Sequence, residues 1–152
     1  MSTVTLREAT EADLDEVLAL YQGIEDSPEQ VLSLAEARAM LAQFRAYPSY
    51  RLWVACEGVG PGADVVGTYA LLVMHNLAHR GAPSAVVEDV VVAADRKGQG
   101  IGRQMMAHAV QQAREAGCYK LALSSHRKRA DAHAFYESLG FAQHGLSFSI
   151  EP

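Results

Sequence analysis

Cysteine, long apolar runs and positive charge are all scarce in this sequence, and each shortage closes off a class of protein. The two cysteines, Cys56 and Cys118, are too few for a disulfide framework and show no metal-ligand spacing. Both lie in apolar, strand-like stretches, so two buried thiols in a reducing, cytosolic protein are the expectation. Thirteen Lys and Arg against eighteen Asp and Glu leave a formal net charge of −5. No nucleic-acid partner is expected from that balance, because binding a phosphate backbone relies on clustered positive charge. A local basic pocket for a small anion stays open. The longest apolar stretch, Val65 to Met74, is about half the ~20 residues a membrane-spanning helix needs, so no membrane partner is expected. Met1-Ser2-Thr3 runs straight into a strand-like segment with no signal-peptide pattern.

What is present fits one compact domain over residues 1–152, with 49% apolar and 20% charged residues. A chain of this length can bury roughly 70% of its extended surface and needs no staple. Neither an internal repeat nor a dividing linker is visible. Thr3 to Leu6 reads as a first strand. Thr10 is a candidate N-cap, and Leu14, Val17, Leu18 and Tyr21 follow at helical spacing. A connection containing Ser27-Pro28 precedes a second helix over about 33–45. Tyr50 to Glu57 and Val65 to His75, joined by a glycine-rich loop, read as an antiparallel hairpin.

Ala85 to Val92 is apolar apart from Glu88 and Asp89, the pattern of a strand buried on both faces. A helix over about 101–116 stops at Gly117, Cys118 to Ser125 is another buried strand, and a short helix over about 130–139 stops at Gly140. Phe141 to Ile150 closes the chain as one or two strands. The order β-α-α-β-β-β-α-β-α-β implies an α/β fold around a mixed sheet.

The segment from Val90 to Arg103 carries the most chemistry. Gly98, Gly100 and Gly102 alternate in the turn between a strand and a helix. Glycine accepts positive φ and lets backbone approach a ligand, and the free N–H groups of a helix's first turn attract phosphate. A P-loop would need Gly-Lys followed by Ser or Thr, which is absent. A dinucleotide-binding turn would space its third glycine one residue later and place an acid about 20 residues on, near a strand end; Gly117 to Ser125 contains none. A glycine-rich turn without a ligand is the plainer alternative, but three alternating glycines cost backbone entropy at a helix start.

Lys97-Gly98-Gln99-Gly100-Ile101-Gly102 resembles the acyl-CoA pyrophosphate loop of the GNAT superfamily of N-acetyltransferases, with Lys97 where the family pattern has Gln or Arg. Ala134 to Phe141, with Phe135-Tyr136 and Gly140-Phe141, is similar to the family's second signature, in the family's order. The resemblance covers about residues 3–150. It implies a mostly antiparallel mixed sheet with helices on both faces, and acetyl-CoA as co-substrate without a metal. It further implies that the backbone of Val90, Val91 and Val92 pairs with the pantetheine arm. The amides from Lys97 through Gly98, Gln99, Gly100, Ile101 and Gly102 to Arg103 would hold the pyrophosphate.

Acetyl transfer to an amine requires a deprotonated amine, a stabilised thioester oxygen and a neutralised thiolate. In this superfamily the amine attacks acetyl-CoA directly in a ternary complex, so neither cysteine is needed as nucleophile. The resemblance makes Tyr136 the candidate acid near the CoA sulfur; its plainer reading is a core aromatic in the stripe of Ala132, Phe135 and Leu139. Glu88 and Asp89 are candidate bases. Alternation points neighbouring strand residues to opposite faces, so the two carboxylates are expected to do different jobs, with Glu88 the base. The alternative is an acid bonded to nearby backbone or arginine.

Val87 to Val92 and Gly117 to Leu121, with the Phe135-Tyr136-Glu137 ending, look like the glucosamine-6-phosphate N-acetyltransferase branch. The departure lies between Leu123 and Phe135, a stretch that also resembles bacterial GNAT proteins acting on varied small amines. Arg127 and Arg129, with Lys128, are candidates for an acceptor phosphate or the CoA 3′-phosphate, against a solvated charge run neutralised by Asp131. Asn76 is placed at the acceptor cleft from its position between two strands. His75, His79, His126 and His133 could line that cleft but show no zinc spacing. The expectation is a cytosolic N-acetyltransferase acting on a small amine, and many relatives are homodimers. A peptide acetyltransferase and a non-catalytic acyl-CoA-binding module are the alternatives.

Overall fold

The computed structural model describes residues 2–25 and 27–152. They fall into two compact units, Met1–Ala122 and Leu123–Pro152. Strand β1 (Thr5–Glu8) leads to helices α1 (Leu14–Tyr21) and α2 (Leu34–Phe44). Strands β2 (Tyr50–Glu57), β3 (Asp64–Met74) and β4 (Ser84–Val92) follow, then α3 (Ile101–Glu115), β5 (Lys120–Leu123) and α4 (Ala130–Ser138). The five strands form one sheet in the order β1-β2-β3-β4-β5, and β1 through β4 pair antiparallel.

Local signals place the first helices. Thr10 N donates to Asp13 Oδ2 at 2.7 Å in a capping box that closes the 3-10 turn Glu11–Asp13 leading into α1, and Ser33 N donates to Glu36 Oε2 at 2.8 Å in one that closes α2. Helix α1 buries Leu14 and Val17, and α2 buries Ala37 and Leu41, against Leu52, Val54, Cys56, Val65 and Ala70 of one sheet face. The alternate residues, Trp53, Ala55, Gly67 and Tyr69, meet α3 on the opposite face. There Ile101, Met105, Met106 and Ala109 are buried. Gly67 makes that approach possible, since a Cβ there would stand 2.6 Å from Met105 Sδ and 3.3 Å from Val91 O.

Four expectations need correction. The first strand begins at Thr5 rather than Thr3. Strand β4 is not buried on both faces: Glu88 and Asp89 are exposed, and Val86, Val90 and Val92 are half-buried. The fifth strand is the short Lys120–Leu123 segment, half-buried beyond its first residue. No strand forms after α4; residues 141–150 contain no regular element and are exposed from Ala142 onward. The apolar alternation there is real, but no strand within the chain pairs with it, and a strand needs a partner.

Candidate functional site

Strand β4 breaks its own alternation where the carboxylates sit. Thr68 pairs with Val91 and Ala70 with Glu88, so Asp89 and Val90 together oppose Tyr69. Asp89 lies at φ 52°, a left-handed conformation rarely adopted outside glycine. A bulge re-aims side chains and disrupts the ladder locally. Both carboxylates are exposed. Burial is the main reason the Tyr50 and Tyr21 phenols lie above their ordinary value; the Asp89 charge and then the Glu88 charge add to the rise at Tyr50, and the Asp89 charge adds to it at Tyr21. The bulge at Asp89 interrupts the alternation on which the expectation of opposite faces rests. Desolvation, then the Asp89 charge, holds the Glu88 carboxyl above its ordinary value. Tyr21 and Tyr50 were not singled out from the sequence. The only signal was Tyr21 closing the α1 stripe and Tyr50 opening β2.

The turn after β4 presents backbone donors. Gly98 lies at φ 78° and Gly100, the N-cap of α3, at φ 82°. Gly102 sits inside the first turn of α3 without positive φ, so two of the three glycines carry the conformational demand. Helix α3 has no side-chain cap and no acid in its first turn. Its first N–H groups are thus available to an anion, with Ile101 buried as the anchor and Arg103 exposed. Arg96 is committed to Glu57 and Asp95, each at 2.9 Å. Lys97 is exposed and forms no ion pair among the described residues.

Supporting residues escaped the sequence reading. Gln99 Oε1 accepts from Ser2 Oγ at 2.6 Å, and its carbonyl accepts from Ser2 N. Gln104 Nε2 donates to Ser2 O at 2.7 Å while its Oε1 accepts from Val4 N. The N-terminal segment therefore braces the turn, and the Gln99 side chain is a brace rather than a free ligand. Val91 and Val92 hold register with Thr68 and Gly67, and Ala93 N donates to Val66 O, which fixes where the turn begins.

Other candidates are placed differently. Asn76 Nδ2 donates to Ala82 O at 2.9 Å and closes its own loop. His79 stacks on Tyr119 at 4.1 Å, and His75 is exposed. In the second unit, Arg127 and Arg129 are exposed, Arg129 occupies the N-cap position of α4, and neither pairs with Asp131 among the described residues. His133 bonds the His126 carbonyl at 2.9 Å. Tyr136 is half-buried, with its ring 5.2 Å from Phe135 and 5.8 Å from Phe141; burial raises its phenol, against a lowering by Arg129. Among the described residues no group of three potential ligands could hold a metal ion.

This arrangement has close counterparts. Residues 14–141 match the acetyltransferase (GNAT) family. Glucosamine 6-phosphate N-acetyltransferase of Trypanosoma brucei brucei is 32% identical over 146 residues, covering 96% of this chain and 94% of the relative. Aminoalkylphosphonate N-acetyltransferase of Salmonella typhimurium is 32% identical over 149 residues, covering 98% and 92%. A solved structure, a putative acetyltransferase from Agrobacterium tumefaciens, superposes with a TM-score of 0.86 at 37% identity, covering 97% of this chain and 99% of that one. With the bulged strand, the glycine turn and the matched extent together, this chain belongs to the acetyltransferase (GNAT) family and is an N-acetyltransferase that uses acetyl-CoA.

Proposed function

We propose that the chain moves acetyl from acetyl-CoA to the primary amine of a small molecule, by direct attack while both substrates are bound. The observation that carries this reading is one stretch of chain, from Glu88 to Arg103. It joins an exposed carboxylate pair to a helix start whose N–H groups are free. A cationic amine is drawn to the carboxylates, and a pyrophosphate to the helix start, so the two substrates take neighbouring parts of one segment.

Glu88 takes the proton of the ammonium, directly or through water, because its raised pKa brings it nearer the operating pH. The backbone of Val90, Val91 and Val92 holds the pantetheine arm. Lys97 and the amides from Gly98 to Arg103 hold the pyrophosphate. Tyr136 stays protonated at neutral pH, since burial raises its phenol, and donates to the departing thiolate. No metal is needed by this sequence of proton transfers. The two free thiols, Cys56 and Cys118, fit a reducing, cytosolic setting.

For the acceptor, we infer an amine that also carries a phosphate or phosphonate. The names of both curated relatives describe such amines. Arg127 and Arg129 are exposed and free of carboxylate partners among the described residues, which suits a second anion. The test is thiol release from acetyl-CoA with glucosamine 6-phosphate, an aminoalkylphosphonate, aminoglycosides, polyamines and basic peptides. Turnover confined to the phosphorylated or phosphonylated amines supports the reading. Turnover confined to polyamines or peptides overturns the acceptor class. Tight acetyl-CoA binding with no turnover overturns catalysis.

A further inference from the structure

We propose that Gln104 is a positioning residue for the acetyl-CoA turn and acts through the N-terminal segment; this rests on the reading of the amides from Gly98 to Arg103 as the pyrophosphate holders. Lys97 to Gly100 lies between the 3-10 turn Ala94–Arg96 and α3, outside every helix and strand. Gly98 and Gly100 hold positive φ there, and a Cβ added at Gly98 would meet nothing within 4 Å. Packing around Gly98 therefore does not fix the turn, and glycine loses more backbone freedom on ordering than any other residue. The constraint has to come from elsewhere in the fold.

That constraint is a ring of hydrogen bonds around two amide side chains. Ser2 N donates to Gln99 O at 3.2 Å, and Ser2 Oγ donates to Gln99 Oε1 at 2.6 Å. Gln104 Nε2 donates to Ser2 O at 2.7 Å and to Gly100 O at 3.4 Å, while Gln104 Oε1 accepts from Val4 N at 3.2 Å. Gln104 stands in the first turn of α3, just past the Gly100 N-cap, so one side chain reaches both the turn and the N-terminal segment. Val4 is buried, and Thr5 after it opens β1 and pairs with Cys56 of β2. The turn is thus moored to the sheet through residues 2–5.

Affinity follows from this mooring. A turn that holds the binding shape for only a fraction of the time loses affinity by that fraction. Coupling is also reciprocal: a pyrophosphate that selects the ordered turn tightens residues 2–4, although none of them is among the proposed ligand contacts.

The experiment titrates the full-length chain with acetyl-CoA alone by isothermal calorimetry, and follows amide hydrogen exchange residue by residue by NMR. Gln104→Met keeps the side chain's length and helix propensity and loses both ends of the amide. Gln104 is only half-buried, so circular dichroism is expected to remain unchanged. The acetyl-CoA dissociation constant rises about 10-fold in this variant, the scale of one or two tertiary hydrogen bonds. Ser2→Ala, which loses only the hydroxyl donor, raises it about 3-fold. Ser2→Thr keeps a hydroxyl and restores it. In the unsubstituted chain, saturating acetyl-CoA slows exchange at the Val4 amide by about 10-fold, and in Gln104→Met that slowing disappears. A merely structural role for Gln104 would lower stability without linking Val4 to the ligand. An unchanged dissociation constant in Gln104→Met overturns the proposal, as does Val4 exchange indifferent to acetyl-CoA in the unsubstituted chain. A loss in Ser2→Thr as large as in Ser2→Ala overturns it too. If acetyl-CoA binds but leaves the amides of 98–103 unprotected, the pyrophosphate reading itself fails, and the proposal falls with it.

Discussion

Tyr69 and His108 meet on the α3 face of the sheet, with the phenol oxygen 2.6 Å from Nδ1 and the ring of Trp53 edge-on to the same imidazole. The pair ties the strand opposite the bulge to the helix that begins at the glycine turn. Burial holds His108 below its ordinary value. The unfolded chain therefore binds more protons than the folded one, so stability falls as pH drops below about 6.5. Thermal unfolding at pH 7.5 and pH 5.5 checks this, and His108→Phe removes the part of the difference due to this residue. Tyr69→Phe leaves a half-buried ring nitrogen without its partner and costs about 1–3 kcal/mol, read from denaturant midpoints.

Glu88 and Asp89 separate in a pH–rate profile. Glu88→Gln lowers kcat by about 10²–10⁴-fold and removes the limb on which rate rises with pH. Asp89→Asn keeps that limb but moves it to lower pH, because it removes the like charge that helps raise the Glu88 carboxyl. An unchanged rising limb in Glu88→Gln would remove Glu88 from the role of base.

Tyr136→Phe keeps the ring and loses only the hydroxyl. Acetyl-CoA affinity is expected to hold while kcat falls by about 10²–10⁴-fold. Isothermal titration and initial rates measure the two separately. Full turnover with an unaltered profile would return Tyr136 to a packing role beside Phe135 and Phe141.

Asp13 supports the first unit from beneath α1. It is 5% exposed and accepts from Arg7 at 2.7 and 2.8 Å and from Thr10 N at 2.7 Å. The Arg7 hydrogen bond is the main reason its carboxyl lies below the ordinary value. Its contribution is present above the unfolded-state value of about 3.9 and is lost as pH falls through the lower folded value. Asp13→Asn costs about 1–2 kcal/mol at neutral pH, discounted because Arg7 is partly solvated. A stability curve for Asp13→Asn that keeps the full wild-type acid transition would refute this linkage.

Most elements and the anion-binding turn were legible in the sequence because their causes are local. Helices α1 to α4 follow 3.6-residue apolar spacing and short capping patterns, and the hairpin of β2 and β3 is separated by a glycine-rich loop. Gly98 and Gly100 announce a left-handed turn in any context, since few other residues accept it. Nothing local announces that Asp89 adopts φ 52°. That conformation arises from pairing between β3 and β4, and it cancels an alternation that the sequence alone implies. The bracing of Gln99 and Gln104 by Ser2 likewise joins residues about a hundred positions apart, beyond the reach of any periodicity.

The C-terminal segment marks the same boundary from the other side. The order Leu146-Ser147-Phe148-Ser149-Ile150 determines a strand's amphipathic period by itself, because side-chain direction alternates with every residue. Whether a strand forms depends on a neighbour to complete its hydrogen bonds, and the folded chain supplies none there. Sequence thus determined the family, the turn chemistry and the helix faces through local backbone preference. Strand pairing decided the carboxylate placement and left the closing segment unpaired, because a ladder is a property of two segments and not of one.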